Sequence, residues 1–106
     1  MRLELHPEAR AEVRGAALWY DEQRPGLGDE FIDEVSASLD RIAGTPESYP
    51  AWPCTRAAEP LIRKATIQRF PHVIAFEKHE QHVLVLAVAH AHARRRPLYW
   101  LTRTNP

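Results

Sequence analysis

The stretch that most narrows the possible folds is Val83-Leu-Val-Leu-Ala-Val-Ala89, seven apolar residues in a row. Side chains alternate between faces along a strand, so this segment is apolar on both sides and needs cover on both. It is far too short to cross a bilayer as a helix. A sheet with another layer against it is therefore required, and the rest of the chain says what supplies that layer.

Two more alternating segments precede it: LIRKATI (61–67) and HVIAFEK (72–78), with the apolar run itself extending over 83–91. Arg69-Phe70-Pro71 bends the first connection and Glu80-Gln81 the second. Links this short join antiparallel neighbours. The first half has a different period. RLELH (2–6) alternates as a short half-buried strand. Pro7 then suits a first helical position, where the missing N–H is not needed. Ala9, Val13, Ala16, Ala17 and Tyr20 form one helical stripe with Trp19 at its border. Arg24-Pro25-Gly26-Leu27-Gly28 breaks it, and Phe31, Val35, Leu39 and Ile42 form a second stripe that ends at Gly44. Residues 1–106 thus read as a single α+β domain in two layers. An N-terminal strand and an antiparallel helical hairpin pack on a small antiparallel sheet, with 83–91 the most covered strand.

Between hairpin and sheet runs GTPESYPAWPCTRAAEP, with Pro46, Pro50, Pro53 and Pro60. A connection this long is usually functional or held by its own side chains, and Tyr49 and Trp52 are its expected anchors. Cys54 is the only cysteine, which excludes an internal disulfide and a multi-cysteine zinc site; it reads as a passive thiol. The N-terminus, MRLELHPEAR, has no apolar leader, so a cytoplasmic protein with no membrane association is expected.

The formal charge is zero but unevenly placed. Residues 1–53 carry 5 Arg against 11 Asp and Glu, net −6; residues 54–106 carry 9 Lys and Arg against 3 Glu, net +6. The second half can favour an acidic partner, or the division reflects an acidic helical layer over a basic sheet. The cations concentrate late, in AHAHARRRPLYW (89–100). Arg63 and Lys64 are adjacent and so point to opposite faces, and Arg69 lies in the bend. Antiparallel pairing can bring some of these near His90, His92, Arg94, Arg95 and Arg96, and a shared cationic surface would suit phosphate or carboxylate. His90 and His92 share a strand face, yet nothing at a suitable spacing completes a metal ligand set, so neither metal nor cofactor is expected. Pro97 turns the chain, after which Tyr99 and Trp100 either fold back as a lid on the sheet or serve in catalysis or base stacking.

Four segments in order carry a family resemblance: WYDEQRPGLGDEF (19–31), TPESYP (45–50), IRKATIQRFPHVIAFE (62–77) and LAVAHAHARRRPLYWLTR (86–103). Together they resemble the RelE/ParE superfamily of type II toxin–antitoxin toxins, often labelled plasmid stabilisation proteins. The resemblance implies the fold already reached and one of two activities. A RelE-like toxin would be a metal-independent, ribosome-dependent endoribonuclease for messenger RNA. Arg63 or Lys64 and Arg69 would then face phosphate, Arg94 would stabilise developing charge, and Tyr99 would be the terminal catalytic group. A ParE-like toxin would instead arrest growth by poisoning DNA gyrase, without being an enzyme. The Arg-Arg-x-Pro-x-Tyr-Trp ending and the single Arg-Lys pair on the first long strand resemble the ParE side more closely. A degenerate member acting as a non-toxic binding module is the third reading.

Under either toxin reading the resemblance implies a cognate antitoxin whose disordered tail folds on binding. The +6 half points to an acidic tail, seated on a sheet edge or in the hairpin groove. Arg63, Arg69, His92, Arg94, Arg95, Arg96, Tyr99 and Trp100 are the candidate contacts for antitoxin or target.

Overall fold

The computed structural model describes residues 1–53, 60–91 and 99–103. Its elements run β1 (Arg2–Leu5), α1 (Pro7–Gln23), α2 (Leu27–Gly44), β2 (Ile62–Thr66), β3 (His72–Lys78) and β4 (His82–His90), with short 3-10 turns at Pro46–Ser48 and Tyr99–Arg103. The sheet order is β1-β4-β3-β2. The last three strands are antiparallel neighbours, as their short links predict. β1 joins β4 in parallel, Leu3 beside Val83 and Leu5 beside Val85, so the four-stranded sheet is mixed.

Each helix start has an identifiable cause. His6 Nδ1 accepts the Glu8 N–H at 3.1 Å and Pro7 opens α1. Gly26 takes the left-handed conformation (φ 89°) that the tight hairpin turn needs and a Cβ disfavours. Asp21, on the last turns of α1, accepts the Gly28 N–H at 2.8 Å and so satisfies a donor at the start of α2. The helices meet so closely there that a Cβ on Gly28 would lie 2.4 Å from the Ala17 carbonyl oxygen.

The hairpin covers one sheet face with Ala9, Tyr20, Phe31, Val35 and Ile42 against Ile74, Phe76, Val83, Val85 and Val88. Fully burying a side chain such as Phe31 contributes about 2–3 kcal/mol. The other face is not left to solvent. Ile62, Ala75, Leu84, Leu86 and Ala87 pack under Trp100, with Trp52 and Tyr99 beside it. Trp100 is 1% exposed and meets Trp52 edge to face at 4.8 Å. The lid expectation for Trp100 holds, and Trp52 and Tyr49 both anchor the proline-rich connection, Tyr49 against Phe76. Val83–Ala89 is buried throughout.

A bulge interrupts β4. Ala75 pairs with Ala87 but Phe76 pairs with Val85, leaving Leu86 as the extra residue. Leu86 and Ala87 thereby both join the cluster under Trp100.

Candidate functional site

The sequence points to one cationic surface built from Arg63, Lys64, Arg69 and Arg94. Among the described residues the first three lie in three separate places. Arg63 turns its guanidinium back to the connection, donating to the Tyr49 carbonyl at 2.6 Å and toward that of Glu47 at 3.4 Å. Lys64 projects on the opposite side, its Nζ 5.4 Å from the centre of the Trp52 ring. Arg69 sits in the β2–β3 turn with a left-handed backbone (φ 72°) and binds two carboxylates of α2, Glu30 at 2.7 Å and Glu34 at 3.1 Å. Arg24 reaches Glu30 as well, at 3.0 Å. Hydrogen bonds from Arg69 and then Arg24 hold the Glu30 carboxyl below the usual carboxylate range. The physical reason for the dispersal is local: adjacent strand residues face opposite ways, and the turn aims Arg69 at an acidic helix. His92, Arg94, Arg95 and Arg96 lie outside the described residues, as does Cys54.

A different cluster does form, where β4 runs on past the end of β1. There, among the described residues, the N–H groups and carbonyls of β4 have no neighbouring strand on that side. Glu12 of α1 accepts the Val88 N–H at 3.0 Å and the Tyr99 hydroxyl at 2.5 Å. Arg103 pairs with Glu12 at 3.1 Å and donates to the Leu86 carbonyl, at the bulge, at 3.1 Å. Its guanidinium also lies over the Tyr99 ring at 5.0 Å. One carboxylate and one guanidinium thus finish the open edge and fasten the C-terminal turn to α1. Neither residue was a sequence candidate. The available signal was that Glu12 falls inside the apolar stripe of α1, between Ala9 and Ala16.

Along the same helix, Tyr20 OH meets His72 Nε2 at 3.1 Å, and the His90 ring stands 5.1 Å from that of His72. Phe31 and Phe70 close the cluster. Burial, then the neighbouring His90, lowers the His72 pKa from 6.5 to about 4, with the Glu12 charge opposing; burial raises that of Tyr20. His72 is therefore neutral near pH 7. At the other end of the sheet, buried Glu77 meets His79 at 3.1 Å, and the rings of His79 and His82 stack at 4.7 Å. Among the described residues no group of three or more His, Cys, Asp or Glu side chains is arranged to hold a metal ion, and no helix is long and apolar enough to cross a membrane.

The comparisons with known proteins agree with this architecture. The chain resembles a solved chain of the "Chromosomal ParDE TA system from P. aeruginosa" with a TM-score of 0.71 and 14% identity, over 85% of this chain and 95% of that one. At that identity the likeness speaks for the fold. No curated protein matches the sequence. The family model described as "ParE toxin of type II toxin-antitoxin system, parDE" matches residues 3–94. With that match spanning both helices and all four strands, the chain belongs to the ParE toxin family.

Proposed function

We propose that this protein is the growth-arresting toxin of a plasmid-stabilisation-type module, acts in the cytoplasm on DNA gyrase, and is neutralised by an acidic cognate antitoxin. The family match supports the class of protein. The choice of gyrase over messenger RNA rests on one observation: three of the side chains an RNase would turn on phosphate, Arg63, Arg69 and Tyr99, are engaged within the fold. Arg63 holds backbone carbonyls, Arg69 holds two carboxylates, and the Tyr99 hydroxyl is given to Glu12. None of the three is presented as a phosphate donor or a proton-transfer group. Contact with target or antitoxin is then assigned to His92, Arg94, Arg95 and Arg96, with Arg69 able to add to it at the surface; Trp100 is buried and serves the sheet instead.

The test is expression without antitoxin, followed by assay of the purified chain. Growth arrest with loss of gyrase supercoiling and accumulation of cleaved DNA is expected. Unchanged gyrase activity at arresting concentrations, with new codon-phased transcript ends that vanish in Tyr99→Phe, would establish the RNase reading instead.

A further inference from the structure

β2 is an edge strand, and among the described residues only half of its edge is occupied. Ile67 N–H bonds the His72 carbonyl, so Ala65 and Arg63 also bond inward to β3, and the backbone groups of Ile62, Lys64 and Thr66 point outward. The chain's own connection covers the first part: Trp52 N–H bonds the Ile62 carbonyl at 2.8 Å, and Lys64 N–H bonds the Pro50 carbonyl at 2.9 Å. Ala51 bridges Arg63 in antiparallel sense. The chain then turns away, because Tyr49 packs inward on Phe76. The Lys64 carbonyl and both backbone groups of Thr66 face outward past that point. Among the described residues they meet no strand.

This open half-edge borders a cavity of about 440 Å³ lined by Ser38, Arg41, Tyr49, Pro50, Lys64 and Thr66, among others. Arg41 stands on the helical side, where its Nη2 bonds the buried Ser38 hydroxyl at 3.2 Å. Lys64 stands on the other. Among the described residues no carboxylate lines the cavity. The groove between α1 and α2 differs, since its walls carry Arg10 and Arg14 but also Asp21 and Asp29. Two features thus coincide at β2: an unfilled hydrogen-bonding edge and cations on both sides of it.

We propose that the Lys64–Thr66 edge receives an extended acidic segment as a fifth strand, in line with residues 50–52, with its carboxylates reaching Arg41 and Lys64. A phosphate backbone would satisfy the cations but has no N–H to offer the outward carbonyls, whereas a peptide supplies both donor and acceptor. On the toxin reading above, on which this rests, the segment is the antitoxin's tail.

The probe is the product of the reading frame adjacent to this chain's own, purified as its complex. Hydrogen exchange should show the Thr66 amide protected in the complex relative to the free chain. Arg41→Glu and Lys64→Glu should each weaken binding by at least about tenfold. Thr66→Pro, which removes an outward N–H without touching the β3 ladder, should do the same. Arg2→Glu, on the opposite edge strand, should bind as wild type. A complex that forms normally while the Thr66 amide stays unprotected, or that tolerates the two charge reversals, overturns the edge proposal and leaves the toxin reading standing. Failure of the wild-type chain to bind that product removes the antitoxin and the proposal together.

Discussion

His72 shows how one buried side chain ties stability to acidity. Folded, it titrates near 4; in the unfolded chain it returns to about 6.5. The unfolded state therefore binds the extra proton between those values. Stability associated with the neutral ring is complete above pH 6.5 and is lost as pH falls toward 4, by on the order of 3 kcal/mol. Urea unfolding at pH 7 and pH 4 should show this. His72→Gln keeps a polar partner for Tyr20 but does not titrate, so its loss of stability over the same interval should be smaller by most of that amount. An equal loss would place the proton elsewhere. This role was not readable from the sequence. A histidine at a strand end is ordinarily solvated, and only tertiary packing brings Tyr20, Phe31 and Phe70 around it. Arg69 is the converse case: its place in a bend was evident, but its pairing with Glu30 and Glu34 depends on how the hairpin crosses the sheet.

The element that most needs outside support is the part of β4 beyond β1. Glu12→Ala would strip the Val88 N–H and the Tyr99 hydroxyl of their acceptor and leave Arg103 without its close carboxylate. Half-buried groups left unpaired cost about 1–3 kcal/mol each. A loss of about 2–4 kcal/mol is expected, with the C-terminal turn released before the sheet unfolds. Limited proteolysis should cut near Tyr99 in the variant well below its unfolding midpoint, with Trp100 emission shifting to longer wavelength. Coincident loss of turn and sheet would show that Glu12 supports the fold uniformly. The strands and helices themselves follow from periodicity, and their boundaries fall within a residue or two of expectation. What periodicity could not supply is the parallel seating of β1. A four-residue strand carries no mark of which neighbour it will choose, and the bulge at Leu86 depends on cover from Trp100.

At the scale of the molecule, part of the opposite charge of the two halves is paired across the fold. Arg69 with Glu30 and Glu34, Lys78 with Glu47, and Arg103 with Glu12 each join a cation of the second half to a carboxylate of the first. The +6 of residues 54–106 therefore overstates what a partner meets. Calorimetry of the antitoxin complex should show affinity falling as salt rises from about 50 to 500 mM, with a residual, salt-insensitive part from apolar burial. Equal tightness across that range would remove the electrostatic contribution. The acidic helical layer and basic sheet seen in the composition are thus partly a device of internal adhesion.

Because β1 lies beside β4, a strand made before the helical hairpin waits for the last of the four strands. The helical hairpin can form as soon as it emerges, but Leu3 and Leu5 meet Val83 and Val85, and Glu12 meets Tyr99, only once β4 and the turn after it have followed. A nascent chain therefore acquires its finished surface in a single late step.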